Sequence, residues 1–275
     1  MAGYSDTSAT QSKVTLRTFI DYKERGDKFA VLTAYDASFA KLVEQAGVEL
    51  ILVGDSLGMV IQGHDTTIPV SMDHMVYHTR CVSRACERAM VMADMPFMSY
   101  ANAAEAVRNA ARLLQDGGAQ CVKLEGGAQQ VDVVKAIAEQ GIPVCAHLGL
   151  RPQSVHKLGG FRVQGRDAQA AEQMLRDAQS LQQAGADLLL LECVPVQLAQ
   201  RLCEQVQIPV IGIGAGPDTD AQVLVLQDIL GITHGKVPRF SKNFMAGAES
   251  IGQAVERFVA AVRNGEFPAP EHTFT

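Results

Sequence analysis

Short apolar runs, each followed by a longer amphipathic stretch, set the rhythm of the chain. The runs cover residues 31–35, 50–54, 90–94, 121–125, 143–147, 187–192, 209–214 and 223–228. Nearly every position in them is apolar, as in parallel strands buried on both faces, where no polar side faces water. Helix-like stretches fall at 37–46, 72–88, 103–115, 129–139, 169–184 and 195–206. Gly47, Gly117, Gly141 and Gly185 stand just past four of them, where a left-handed helix end favours glycine. EQAGVELILV, QDGGAQCVKL, EQGIPVCAH and QAGADLLLL thus repeat one design of helix end, glycine turn and buried strand.

Parallel strands need crossover helices, so this alternation predicts an α/β fold, a (β/α)8 TIM barrel formed as a single domain over residues 14–275. An open doubly wound sheet is the alternative architecture. Residues 1–13 are small and polar and read as a mobile N-terminal segment. No linker or composition shift divides the remainder.

Composition narrows the function classes. With 47% hydrophobic and 20% charged residues among 275, the chain buries a core rather than remaining disordered. A formal charge of -6 argues against nucleic acid as a partner, because phosphate neutralisation needs a basic surface. No apolar run is long enough to span a membrane and the N-terminus does not read as a signal peptide, so a cytoplasmic protein is expected. Cys81, Cys86, Cys121, Cys145, Cys193 and Cys203 show no metal-ligand spacing and read as reduced thiols.

Barrel active sites lie at the carboxyl ends of the strands. Asp55 directly follows run two, and runs three to six end at Asp94, Glu125, His147 and Glu192. Carboxylates crowded at one rim repel unless a cation or a proton intervenes. Oxygen ligands without cysteine favour a hard divalent ion such as Mg²⁺ or Mn²⁺, which leaves a carboxylate for acid–base work. The plainer reading makes these acids helix N-caps. Lys123 stands two residues before Glu125, so strand alternation turns both toward the lumen. There it balances the acids, anchors an anionic substrate or forms a Schiff base.

Weaker signals are the glycine-rich GIGAG at 212–216, read as a phosphate loop or a tight turn, and the helical pair His74 and His78. Tyr35 and Asp36 either face the site or start a helix.

VLTAYD, VGDSLGMV, GHDTTIPVSMDHM, ADMPF, VKLEGG, AHLGL-x-PQSV, VQGR, LLLECVP, IPVIGIGAG and EHTF occur in this order along the chain. Together they resemble the ketopantoate hydroxymethyltransferase family over nearly the whole sequence. Arg151 departs from that pattern, which has threonine there. The resemblance implies a cytoplasmic homodecamer with Mg²⁺ in each subunit and 5,10-methylenetetrahydrofolate as one-carbon donor. It implies transfer of a hydroxymethyl group to 3-methyl-2-oxobutanoate, giving 2-dehydropantoate and tetrahydrofolate, the first step of pantothenate biosynthesis. By motif, Asp55, Asp94 and Glu125 become the metal-associated acids, and Asp55, Ser56, Asp94 and Lys123 the keto-acid contacts. Glu192 becomes the proton acceptor, with His147 and Tyr35 as auxiliary groups. The rival reading is a Mg²⁺-dependent carbon–carbon lyase or phosphoenolpyruvate mutase-like barrel acting on a 2-keto acid.

Overall fold

The computed structural model describes residues 12–233, 235 and 237–275. The expectation of a mobile N-terminal segment therefore falls almost wholly outside the described residues. Eight parallel strands close into a barrel in sequence order: β1 (Phe29–Thr33), β2 (Leu50–Val53), β3 (Met90–Asp94), β4 (Cys121–Glu125), β5 (Val144–Gly149), β6 (Leu188–Glu192), β7 (Val210–Ile213) and β8 (Ala221–Leu224). Closure is made by β1 and β8, with Val31 opposite Val223. The open doubly wound sheet is thereby excluded.

Alternation sorts each strand into two cores. Outward residues such as Leu32, Ile51, Val91, Val122 and Leu189 pack under the helices. Inward residues such as Val31, Leu52, Met92, Cys145, Leu190 and Ile211 fill the lumen. The next inward positions, one layer up, are Asp94, Lys123, His147 and Glu192. An apolar floor and a polar ceiling thus come from one period-two pattern.

The bottom of the barrel is closed by an N-terminal helix, Leu16–Arg25, that the repeating strand–helix pattern does not announce. Its Phe19 is fully buried and stacks on luminal Phe29 with ring centroids 4.5 Å apart. A C-terminal helix, Ile251–Arg263, likewise lies outside that pattern. It buries Ala254, Val255, Phe258, Val259 and Val262 and packs against β1.

Other boundaries shift for local reasons. The run expected at 223–228 is a strand only to Leu224. Leu226 N donates to Thr33 Oγ1 at 2.9 Å, and the chain turns into a short helix, Leu226–Ile229. The helix expected over 72–88 ends at Ser83. Beyond it, Glu44 Oε1 accepts from the backbone N–H groups of Glu87, Arg88 and Ala89 at 2.7–2.9 Å, holding that segment out of the helix. At the 103–115 helix the left-handed residue is Gly118 (φ 77), not Gly117. Gly117 is required instead for close approach, because a Cβ there would lie 3.1 Å from the Thr79 side chain. No helix among the described residues is long and apolar enough to cross a membrane.

The stacked plug should contribute strongly to stability. Phe19→Ala is expected to cost about 3 to 5 kcal/mol, since it removes a fully buried ring and leaves a cavity. Urea unfolding of both proteins measures it, and a loss below about 1 kcal/mol would contradict a closing role for this helix.

Candidate active site

The acids at the strand ends do not cap the barrel's long helices. Those caps are supplied by Asp36, Ser71, Asn102, Asp167 and Ser250, each with a side-chain oxygen accepting from the first turn. Asp36 is thus engaged by its own helix. Asp55, Asp94, Glu125 and Glu192 remain, gathered with Lys123 and His147 at one end of the lumen.

Lys123 sits at the centre. Its Nζ lies 2.6 Å from Asp94 Oδ1 and donates to His147 Nδ1 at 3.3 Å. An ammonium has no lone pair to offer, so Nδ1 is the acceptor, and the His147 proton resides on Nε2. Nε2 faces Glu192 Oε2 at 3.4 Å, within charge–dipole reach but without hydrogen-bond geometry. His147 Nδ1 is also 3.8 Å from Glu125 Oε1. On the other side, Asp94 Oδ2 accepts from Asp55 N at 2.9 Å. Ser56 Oγ and Tyr35 OH are 2.9 Å apart, and a Cβ on Gly54 would sit 2.8 Å from Ser56 Oγ and 3.5 Å from Asp94 Oδ2. Every site residue expected from the sequence therefore falls in one cluster.

Burial sets the charge states. It is the largest influence on Asp55, whose carboxyl is pushed up to about 7, with the Asp94 charge adding to it. Burial also lifts Glu192 to about 8 and holds Glu125 well above the usual carboxylate range. Burial alone would lower the Lys123 ammonium. Asp94 first, then Glu125 and Asp55, reverse that and keep it above the ordinary lysine value. His147 is held well below 6.5, chiefly by burial and then by the Lys123 charge, and is neutral. A lysine kept protonated this firmly is a poor Schiff-base nucleophile and a good anion anchor. Glu192 is the most accessible acid of the set, with 14% of its side chain exposed against 2% for Glu125 and 4% for Asp94.

Two residues here carry no signal in the sequence. Gln153 is buried, and its Nε2 donates to Asp55 Oδ2 at 2.8 Å and to the Met95 carbonyl at 2.9 Å. Its backbone N–H donates to Glu125 Oε2 at 3.1 Å, and its Oε1 accepts from Tyr100 OH. Tyr100 OH in turn accepts from Glu125 N at 3.3 Å. Gln153 lies within the PQSV motif, but a lone glutamine in a loop has neither charge nor spacing to mark it.

The weaker signals resolve as structural. His74 Nδ1 accepts from Ser71 N at 3.3 Å within a capping box, and His78 Nδ1 donates to the Tyr35 carbonyl at 2.7 Å. In GIGAG, the space a Cβ would take at Gly214 is filled by Phe240 and Phe274, and at Gly216 by Val196. That is a packed turn rather than an oxygen-binding loop.

Four crowded carboxyls, one ammonium and one neutral imidazole at the mouth of a (β/α)8 barrel define an acid–base enzyme for a small anionic substrate. The chain belongs to the ketopantoate hydroxymethyltransferase family, whose model matches residues 13–270. It is similar to the 3-methyl-2-oxobutanoate hydroxymethyltransferase of Alkalilimnicola ehrlichii, with 61% identity over 269 residues covering 98% of this chain and 97% of the relative. The enzyme of the same name from Halorhodospira halophila is 56% identical over 266 residues, covering 97% and 96%. Among solved structures, a phosphonopyruvate hydrolase in complex with oxalate and Mg²⁺ superposes with a TM-score of 0.59 at 15% identity, covering 94% of this chain and 93% of the other. A 2,3-dimethylmalate lyase of the PEP mutase/isocitrate lyase superfamily gives 0.56 at 16%, covering 78% and 81%. These two share the fold. The identity above 50% lies with the transferases, against the lyase and mutase alternative.

The Gln153 side-chain amide holds Asp55 while its backbone N–H holds Glu125, so Gln153→Leu, which keeps the bulk and removes only the amide, should release the Asp55 carboxylate. Turnover is expected to fall about 10- to 100-fold, the usual effect of removing a group that orients site ligands. Steady-state assays beside thermal melting check this; turnover within about twofold of wild type would show that the amide does not hold the site.

Proposed function

We propose that the chain transfers a hydroxymethyl group from 5,10-methylenetetrahydrofolate to 3-methyl-2-oxobutanoate, forming 2-dehydropantoate and tetrahydrofolate at the first step of pantothenate biosynthesis. The observation that carries this reading is the pairing of a permanent ammonium, Lys123, with a separate, partly accessible carboxylate, Glu192. One binds an anionic keto acid and the other takes its proton.

In this reading Lys123 and Ser56 hold the substrate carboxylate, while Glu192 receives the proton leaving C3. A general base works best with a pKa near the operating pH, and burial moves Glu192 in that direction. His147, with its proton on Nε2 facing Glu192, orients that carboxylate, and Tyr35 positions Ser56. The C3 electron pair then forms a carbon–carbon bond to the one-carbon unit. Both bonds from that unit to the folate nitrogens N5 and N10 break, and water supplies the hydroxyl group. The proton from C3 and the second proton of that water end on the two nitrogens of tetrahydrofolate.

The acids also fit a divalent cation. Four carboxyls face one ammonium, Asp94 Oδ1 has that ammonium as its partner, and Glu125 Oε1 is buried without a hydrogen bond. No three His, Cys, Asp or Glu side chains among the described residues form a ready-made cage. Mg²⁺ does not require one, since it is commonly held by one or two carboxylates with water and substrate completing the shell. Asp55 and Asp94 are the holders in this reading, with Glu125 behind them. The ion supplies Lewis-acid polarisation of the keto oxygen, which acidifies C3–H. The reading extends to a cytoplasmic homodecamer, an expectation that rests on family membership alone.

Formation of 2-dehydropantoate from the two substrates tests the reaction, with the metal examined in the same assay. EDTA should abolish product and Mg²⁺ or Mn²⁺ should restore it, while Asp55→Ala should lose metal-dependent keto-acid binding. Undiminished turnover in a verified metal-free preparation would contradict the metal assignment.

A further inference from the structure

A reduced folate bears the carboxylates of its glutamate tail, and the mouth it must enter is lined with acids. Some part of that mouth has to supply positive charge. All the strand-to-helix connections open on the same face. Among the described residues, those after β1, β2, β3, β4 and β6 and the segment after β7 hold no Lys or Arg. The described part of the segment after β8 has Arg239 and Lys242, and both are engaged. Arg239 Nε donates to the Glu271 carbonyl at 2.9 Å, and Lys242 Nζ lies 5.1 Å from the centre of the Phe244 ring.

The connection after β5, residues 150–167, is different. It carries Arg151, Lys157, Arg162 and Arg166. Arg151 Nη1 is taken by Gln129, whose amide oxygen accepts at 2.9 Å once the amide is turned to face it. Lys157, Arg162 and Arg166 are exposed and form no ion pair among the described residues, although the chain as a whole is acidic. Beside them Phe161 leaves 55% of its surface exposed, following the left-handed Gly159 (φ 67) and Gly160 (φ 114).

Both ends of this connection are fixed to the site. At one end Gln153 holds Asp55 and Glu125. At the other, Gln164 N donates to the carbonyl of Cys193, the residue after Glu192, at 2.9 Å. The segment between therefore spans the mouth from the metal-side acids to the base, with three cations and a phenyl ring turned to solvent.

We propose that this segment is the folate subsite: Lys157, Arg162 and Arg166 bind the glutamate carboxylates, and Phe161 stacks on the aromatic part of the donor. The proposal rests on the reaction assigned above. Calorimetric titration with tetrahydrofolate carrying one or five glutamates tests it without turnover. Wild type should bind the pentaglutamate more tightly than the monoglutamate, with an affinity that falls as salt rises. The variant Lys157→Ala/Arg162→Ala/Arg166→Ala should bind the pentaglutamate about tenfold or more weakly and lose the preference for the longer tail. Lys157→Arg/Arg162→Lys/Arg166→Lys, which keeps the charge, should retain it. Equal pentaglutamate affinity in wild type and the alanine variant would overturn the subsite. Charge-dependent binding without any 2-dehydropantoate formation would uphold the subsite and overturn the reaction.

Discussion

The Lys123 ammonium, held 2.6 Å from Asp94 inside the barrel, is the interaction on which the site depends. A lone ammonium in this position would deprotonate, and the surrounding carboxyls would all remain neutral. Together they keep one fixed positive charge beside a group of acids too numerous for it to balance. Burial first, and then the repulsion among the acids, raises the carboxyl pKa values of Asp55, Glu125 and Glu192, which readies the site for a cation and leaves Glu192 as a base near neutral pH. The Lys123 charge forces the His147 proton onto Nε2, toward Glu192.

The fold bears the cost of that arrangement. A folded-state carboxyl pKa above the unfolded value means that the native chain binds protons more tightly than the unfolded chain. These groups favour the fold at low pH and withdraw stability as pH rises from the ordinary carboxylate range toward about 7 for Asp55 and about 8 for Glu192. The apolar floor of the lumen, the stacked Phe19 and Phe29, and the outer ring of helices supply the compensating burial. Cation binding at the acids would remove part of the repulsion.

Much of this is legible in the sequence, because buried parallel strands are nearly pure apolar runs and the charged residues that interrupt them stand out. Asp94, Lys123, Glu125, His147 and Glu192 are visible as polar positions at the ends of such runs, and period two places Lys123 and Glu125 on one face. The terminal helices escape that reading because they stand outside the repeating strand–helix unit, although Phe19 and Phe258 mark their buried faces. Gln153 and Tyr100 escape it for another reason. Their role comes from loops folding back across the strand ends, and neutral side chains leave no mark of that in local pattern. Strand eight reads too long because VLVLQD is mostly apolar, while the turn at Val225 is made by a tertiary hydrogen bond from Leu226 N to Thr33.

The central claim is that Glu192 takes the C3 proton from a keto acid anchored by Lys123. Deuterium uptake at C3 of 3-methyl-2-oxobutanoate, followed by NMR in D₂O with Mg²⁺ and without folate, isolates that step from one-carbon transfer. Glu192→Gln preserves shape and removes the basic oxygen. The account predicts exchange in the wild type and exchange slower by about 10² to 10⁴ in the variant, the usual effect of losing a general base. Exchange at the wild-type rate in the Glu192→Gln protein would show that another group takes the proton.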